Sequence, residues 1–455
     1  MIIMKFGGSS IKDAQAMLRV ADIVEQHLPQ QPLVVLSALG GVTDQLLRLH
    51  QVALEQKDLQ LSSEFNNLKD RHLQMLKTLI AENRILDETM HFLNAELERL
   101  QTLLNAVKAI KVNSAELYSS IIGLGEILST RIFEALLRSR NLPVTWQDIR
   151  PIMIVEKNGD DVAPKLDEIE KRVRLQFEHH LKHRELIITQ GFLATLPNGA
   201  PTTLGRDGSD YTASLLGAAL NVKEIQIWSD VDGILSADPT LIKEARPLPF
   251  MTFEEACELA YFGARVLHPA TIQPALMHGI PVRVLNSQYP NEPGTLIVPD
   301  YKPTEHKAIK SIAYKENITL LTIESSKLLL SPKAIEDIFD ILSRHGKKVY
   351  AVTKSATKLS VTIQNNGQDQ SFLEELKHFG RIDVEPNKVV VSIVGEGLKA
   401  NPLLTWQVIK MLHEHNIKIE LISQFARQIS MMFIIDEAFI DQTVRLIHDR
   451  FIAKQ

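Results

Sequence analysis

Four short segments carry the residues with the most to offer a reaction. Lys5-Phe6-Gly7-Gly8-Ser9-Ser10 follows the apolar run that begins at Ile2. The two glycines let backbone N–H groups turn toward a ligand, and the lysine adds a point charge suited to phosphate oxygens. A tight structural turn explains the same glycines equally well, and the spacing is not that of a Walker loop. Thr202-Thr203-Leu204-Gly205-Arg206-Asp207-Gly208-Ser209-Asp210 leads into an apolar helix from Tyr211. Arg206 there is able to grip a carboxylate bidentately and Asp210 to hold a lysine or a metal–phosphate group, unless Ser209 or Asp210 only caps the helix. Gly123-Leu124-Gly125-Glu126 opens another helix, where Glu126 either receives a substrate ammonium or favours the helix dipole. Trp228-Ser229-Asp230-Val231-Asp232-Gly233-Ile234 is a strand end with an acidic turn, for which Asx-turn chemistry is a sufficient account.

Together the four loops hold lysine, arginine and main-chain donors, with few carboxylates and no nucleophile triad. His268 stands beside Pro269 without a nucleophile partner and reads as structural; Cys257, the one cysteine, cannot form an internal disulfide and reads as a packed, inert thiol. This inventory suits one reaction class. An ionised carboxylate is already a nucleophile at neutral pH and needs no general base, so its attack on ATP is opposed mainly by repulsion between two anions. Cationic side chains, amide nests and Mg²⁺ answer that repulsion. Phosphoryl transfer to a carboxylate therefore fits better than hydrolysis.

The elements that position these loops alternate. Short β-rich runs at Ile2–Phe6, Leu33–Ser37, Glu185–Thr189, Glu224–Trp228 and Pro281–Leu285 are separated by helical patterns, which predicts an α/β sheet with helices on its faces. Leu86, Met90, Leu93, Leu97, Leu100, Leu104 and Val107 recur in alternating steps of four and three, preceded by a similar row through Phe65, Leu68, Leu76 and Leu79. Residues 55–110 are expected to form an antiparallel helical hairpin, an insertion in the α/β rhythm.

Pro299 and Pro303 mark a linker into a β-rich tail with an internal repeat. Thr319-Leu320-Leu321-Thr322-Ile323 returns 70 residues later as Val389-Val390-Val391-Ser392-Ile393. Ser331-Pro332 matches Asn401-Pro402, Ile338–His345 matches Val408–His415, and Lys358–Val361 matches Gln428–Met431 at the same offset. The tail is thus two copies of one β-α-β-β-α unit, each with a sheet face that wants a partner.

Composition agrees with a soluble enzyme of several domains. The chain has 455 residues, of which 45% are hydrophobic and 23% charged. With 50 Lys and Arg against 55 Asp and Glu the net charge is −5 and no basic run stands out, which argues against nucleic acid. No apolar stretch approaches the roughly 18 residues of a membrane span, and the five apolar residues at the start do not read as a signal peptide. A cytoplasmic location is expected.

The motifs, in this order, resemble those of aspartate kinases. The opening Lys-Phe-Gly-Gly-Ser-Ser is similar to that family's Lys-Phe-Gly-Gly-Thr-Ser signature. The Leu204–Tyr211 loop, Ser229-Asp230-Val231-Asp232-Gly233 and Phe262-Gly263-Ala264-Arg265-Val266-Leu267-His268-Pro269 are similar too, and the tail resembles its paired ACT domains. The resemblance implies an α/β amino-acid-kinase-type sandwich over residues 1–300, with helices around a mainly parallel sheet. Two ferredoxin-like (ACT) α+β units follow, at 301–384 and 385–455. It implies transfer of the γ-phosphoryl of ATP, with Mg²⁺, to the side-chain carboxylate of L-aspartate. By the same resemblance Lys5 contacts the transferring group with backbone at Gly7 and Gly8, and Asp210 organises the cations. Glu126 holds the α-ammonium, Arg206 a substrate carboxylate, and Ser37, Thr43, Phe192 and Ser209 line the pocket. Ser229, Asp230 and Arg265 meet the nucleotide, and no residue is assigned as a metal ligand. Sister acyl-phosphate or carbamate kinases and a non-catalytic sensor are the rival readings.

The chain departs from the family at Ser9 (usually threonine), Asp207 (glycine or asparagine), Leu235 (tyrosine), Thr240 (arginine) and Arg265 (lysine). In the first repeat, Tyr350, after Lys348 and Val349, stands where lysine-sensitive relatives place an aspartate, and Phe425-Ala426-Arg427-Gln428 is bulkier than usual in the second. Threonine, or no amino acid, is expected as effector rather than lysine, and a homodimer or higher homo-oligomer is expected through the tail.

Overall fold

A computed structural model describes residues 1–81, 83–159, 161–262, 269–299, 309–325, 332–365, 371–401, 403–423 and 429–453. They divide into two compact units. The first comprises the described residues of 1–234, 247–253 and 266–301, and the second those of 235–246, 254–265 and 302–455.

In the first unit the strands are β1 (Ile2–Phe6), β2 (Pro32–Leu36), β3 (Val144–Gln147), a hairpin of β4 (Val155–Asn158) and β5 (Asp161–Pro164), and β6 (Leu186–Gln190). A second hairpin, β7 (Leu193–Thr195) and β8 (Pro201–Thr203), precedes β9 (Ile225–Ser229), β10 (Phe250–Thr252), β11 (Val282–Asn286) and β12 (Thr295–Val298). The helices are α1 (Ala14–His27), α2 (Val42–Leu54), α3 (Asp58–Leu79), α4 (Arg84–Ile110), α5 (Ala115–Ile122), α6 (Leu124–Ser139), α7 (Leu166–Lys182) and α8 (Gly208–Leu220); after β10, α9 (Phe253–Tyr261) belongs to the second unit from Glu254 onward and α10 (Pro269–Met277) to the first. Eight strands form one sheet in the order β10-β12-β11-β9-β1-β2-β6-β3. Every neighbouring pair is parallel except β11 with β12. Strands β1, β2 and β6 are buried along their whole length, as expected where helices cover both faces of a parallel sheet. All five strand readings from sequence fall within one residue of these bounds. Because β2 lies on one side of β1 and β9 on the other, the chain reverses direction across the sheet there. In an open α/β sheet this opens a crevice at the carboxyl ends of the strands.

The expected hairpin is α3 and α4. Leu86, Leu93, Leu97, Leu100, Leu104 and Val107 are buried, each fully buried leucine contributing about 2 kcal/mol. Met90 is only half-buried; Thr89 takes the inward place and satisfies its hydroxyl on the carbonyl of Ile85, 2.8 Å away.

The second unit carries the tail. Its strands β13 (Ser311–Glu324), β14 (Val349–Lys354), β15 (Lys358–Gln364), β16 (Arg381–Val394), β17 (Leu421–Ser423) and β18 (Ser430–Asp436) form one sheet in the order β14-β15-β13-β16-β18-β17. Its helices are α11 (Pro332–Arg344), α12 (Ser371–Leu376), α13 (Gly397–Ala400), α14 (Leu403–Glu414) and α15 (Ile440–Phe451). The repeat holds to the backbone: Asn317 and Asn387, at the same 70-residue offset, both take left-handed φ, at 59° and 57°. The two 14-residue strands β13 and β16 run antiparallel, so that Ser311–Tyr314 faces Val391–Val394 and Leu320–Glu324 faces Arg381–Glu385. Each long strand therefore begins one repeat and completes the other, and residue 384 lies inside β16.

The second unit also takes in two stretches that precede the tail in sequence, 235–246 and the described residues of 254–265. The hydroxyl of Ser311 donates to the carbonyl of Leu235 at 2.8 Å, Tyr314 OH to Asp238 at 3.0 Å, and Arg246 to the carbonyl of Ile452 at 3.0 Å. Glu255 on α9 is fully buried and pairs with Lys310 at 2.7 Å. Thr240 hydrogen-bonds Asp238 in a turn. Arg265, His268, Pro303 and Phe425–Gln428, singled out from sequence, lie outside the described residues.

Candidate active site

The candidate site at the carboxyl end of β1 is built largely from segments that follow parallel strands. Lys5 is the penultimate residue of β1 and only 9% exposed. Its Nζ lies 2.6 Å from Oδ1 of Asp210, in the first turn of α8. Asp207 is the N-cap of α8, in left-handed conformation with φ 54° and no side-chain cap. Ser209 and Asp210 are therefore not caps. Asp210 spends its charge on Lys5, and Ser209 is buried beneath it.

After Phe6 the chain turns sharply. The N–H of Gly7 donates to the carbonyl of Trp228 at 3.1 Å and is not left for a ligand. Gly8 opens a 3-10 helix, Gly8–Ile11, whose first N–H groups have no partner within the helix. A side chain at Gly8 would stand 2.8 Å from the carbonyl oxygen of Ala38, so glycine is what allows the β1 and β2 loops to touch.

The loop after β2 is held from below. Ser37 N–H donates to the carbonyl of Phe6 at 3.2 Å, and the Ser129 hydroxyl donates to the carbonyl of Ser37 at 2.7 Å. Glu126 on α6 is 3% exposed; its Oε1 accepts the N–H of Ala38 at 3.1 Å, while Oε2 has no hydrogen-bond partner among the described residues. Burial pushes the Glu126 carboxyl up to about 8, against the pull of the Ala38 hydrogen bond. A buried carboxyl with one oxygen unpartnered among the described residues has the chemistry to receive a cation, whereas a helix-dipole role does not require burial. Thr43, in the first turn of α2, is half-buried.

The remaining candidates close the ring. Gly191 follows β6 with no room for a side chain, because Ser209 Cβ would be 2.4 Å away. Phe192 is half-buried with φ 69°, and its N–H donates to Thr212 at 3.1 Å. Ser229 ends β9, its hydroxyl accepting the N–H of Val231 at 3.4 Å, and Asp230 is exposed. Asp232 is engaged by Asn286 at 2.6 Å. The structure thus places Lys5, Gly8, Ser37, Glu126, Phe192, Ser209 and Asp210 on strand ends, the loops that follow them and the first turns of α6 and α8. It does not bring Arg206 among them: the side chain is 87% exposed at the loop tip, with Asp207 at 3.8 Å.

Sequence reasoning missed Ala38, whose amide fixes Glu126, and Ser287. The Ser287 hydroxyl lies 2.8 Å from that of Ser10 and 2.9 Å from the carbonyl of Ser229, tying the ends of β1, β9 and β11 together. A signal existed for the first, since Gly40-Gly41 follows β2 as Gly7-Gly8 follows β1. Cys257 is half-buried on α9, with burial first and then Glu258 and Glu254 raising its thiol pKa.

Comparison with known proteins identifies the family. The profile of the amino acid kinase family matches residues 1–286 and that of an ACT domain residues 391–451. The chain is 34% identical to lysine-sensitive aspartokinase 3 of Escherichia coli, over 98% of each chain. It is 33% identical to the chloroplastic aspartokinase 1 of Arabidopsis thaliana, over 99% of this chain and 80% of that one. Among solved structures, E. coli aspartokinase III in complex with lysine and aspartate superimposes with a TM-score of 0.84 at 31% identity, covering 99% of both chains. The same enzyme with aspartate and ADP gives 0.82 at 32%, again over 99% of both. The chain belongs to the amino acid kinase family, among its aspartokinases.

Proposed function

We propose that these residues carry out the family's reaction, transfer of the γ-phosphoryl of ATP to the side-chain carboxylate of aspartate, in the following roles. The observation that carries the assignment is the buried Lys5–Asp210 pair, 2.6 Å apart at the carboxyl end of β1, next to the Gly8 turn that abuts Ala38, the partner of Glu126. Asp210 holds the lysine so that its ammonium presents a fixed charge to the transferring group, with no reorganisation at the moment of reaction. The amide of Gly8 adds a donor. Glu126, once ionised, receives the α-ammonium of aspartate, and Arg206 folds in on a substrate carboxylate; Ser37, Thr43, Phe192 and Ser209 shape the pocket. With the amino acid held at both ends, its β-carboxylate meets the phosphorus in line. Ser229 and Asp230 face the nucleotide, with Arg265 assigned there by resemblance alone. ATP is taken as its magnesium complex, and the ion neutralises phosphate charge. A cytoplasmic setting, where ATP is supplied, is part of this reading. The test is ADP release coupled to hydroxamate trapping of aspartyl phosphate. Mg-ATP with L-aspartate should give equal amounts of both, and a chain that makes neither would refute the assignment.

For regulation we propose an effector other than lysine, with threonine or none in its place. The Tyr350 side chain is buried, its hydroxyl donates to Gln364 at 2.7 Å, and the Lys348 ammonium stands 5.4 Å over its ring. A second ammonium there would meet a like charge, and no carboxylate pairs with Lys348 among the described residues. The matching position of the second repeat, Glu420, is already paired with Lys418 at 2.8 Å and Lys388 at 3.3 Å. Millimolar lysine should leave activity within about twofold of its starting value, since without differential binding no equilibrium shifts. Strong inhibition would overturn this view of the pocket. The edge strands β14 and β17 fit a homo-oligomer formed through the tail, which light scattering would size.

A further inference from the structure

The helical hairpin has no role in the chemistry described so far, but one of its side chains reaches the catalytic loops. Arg71 lies on α3, and its Nη2 donates to the carbonyl of Gly40 at 2.8 Å and to the carbonyl of Lys12 at 3.1 Å. Gly40 belongs to the loop after β2, and Lys12 is the C-cap of the 3-10 helix that begins at Gly8. The same two loops meet at Gly40, where a side chain would stand 3.1 Å from both the carbonyl oxygen of Gly8 and Cβ of Lys12. No carboxylate pairs with Arg71 among the described residues, so its donors go to main-chain oxygens.

We propose that Arg71 is a positioning residue for phosphoryl transfer, clamping the phosphate-side loop of β1 to the substrate-side loop of β2. This rests on the kinase reading of those loops given above. The glycines that let the loops approach also leave them free to part, since neither carries a side chain that interlocks with the other. One cationic nitrogen with two hydrogens, each on a different carbonyl, holds the gap at a fixed width. That width sets the distance between the amides and Lys5 on one side and the aspartate seat at Ala38 and Glu126 on the other. It matters in the transition state, when phosphorus is shared between the two sides, more than in the binding of either substrate alone. The hairpin is then a brace for the active site as well as a packed insertion.

The test compares Arg71→Ala, Arg71→Lys and Lys5→Ala in the full-length chain, with kcat, both KM values and thermal unfolding measured. Arg71→Ala should lower kcat about 30-fold with each KM within about threefold, the pattern of lost alignment. Arg71→Lys should retain an intermediate kcat, because one ammonium supplies charge without the bridge, and added millimolar guanidinium should restore part of the Arg71→Ala activity. Unchanged kcat in Arg71→Ala overturns the proposal, as does a loss of kcat that tracks a lowered unfolding temperature and does not respond to guanidinium. If Lys5→Ala is also fully active, the kinase reading of the loops fails; if Lys5→Ala is inactive and Arg71→Ala normal, only the clamp fails.

Discussion

Lys5→Ala is expected to lower kcat by about three orders of magnitude, with a much smaller change in KM for ATP. The ammonium meets charge that grows as the phosphoryl group moves, and removing one such preorganised group costs about 3–4 kcal/mol of transition-state stabilisation. The same change strands Asp210, which is 8% exposed and has its Oδ1 on Lys5 at 2.6 Å. An uncompensated buried carboxylate is costly, so the variant should also unfold at lower temperature. Asp210→Asn should lose activity because the lysine is no longer held. The double variant should lose less than the sum, since both changes break one pair. Steady-state kinetics of the four proteins settles it: full additivity, or Lys5→Ala with parental kcat, refutes the role.

Glu126→Gln is expected to raise KM for aspartate about 100-fold, as truncating one side of a buried charge pair costs 2–5 kcal/mol. The glutamine keeps an acceptor for the amide of Ala38 and loses only the charge. A pH signature follows. In the absence of substrate, burial holds this carboxyl at about 8, against an ordinary 4.5. At pH 7 it is mostly protonated, and ionising it costs on the order of 1.4 kcal/mol, one pH unit's worth. An incoming ammonium needs the anion, so binding expels a proton. The parent's kcat/KM for aspartate should climb with pH up to about 8 and then level, while the glutamine variant shows no such rise. Stability moves the other way. Between 4.5 and about 8 the folded chain holds a proton that the unfolded chain has released, so unfolding free energy falls as pH rises and stops falling above about 8. Glu126→Gln should flatten that decline. A parent whose kcat/KM for aspartate is flat from pH 6 to 9 would contradict the assigned seat.

Much of this architecture is legible before any coordinates. The parallel strands announce themselves as short apolar runs because both their faces are buried, and the hairpin does so because its seam repeats every seven residues. The tail is legible because two copies of one unit keep the same spacing. Other features leave no local trace. Residues 235–246 and 254–262 continue straight from kinase motifs, yet they fold with the tail through contacts to Ser311, Tyr314, Lys310 and Ile452 that lie far along the chain. At the site, Lys5, Glu126 and Asp210 are readable because charge beside glycine in an apolar setting is unusual. Arg206 carries the same signal and stands in solvent, because a loop tip imposes no burial on its side chain. Arg71 is invisible in sequence, since its partners are carbonyl oxygens, which every residue possesses.

The crossed pairing of β13 and β16 bears on how the regulatory half can be cut. A chain ending at residue 384 would strip the β13 segment Ser311–Tyr314 of its neighbour and leave only the first few residues of β16 to flank Leu320–Glu324. Backbone donors and acceptors at the middle of a sheet would become a raw margin, open to any passing strand. The two repeats are duplicated in sequence but not severable in space, so inheritance, truncation or exchange of this half has to proceed in pairs.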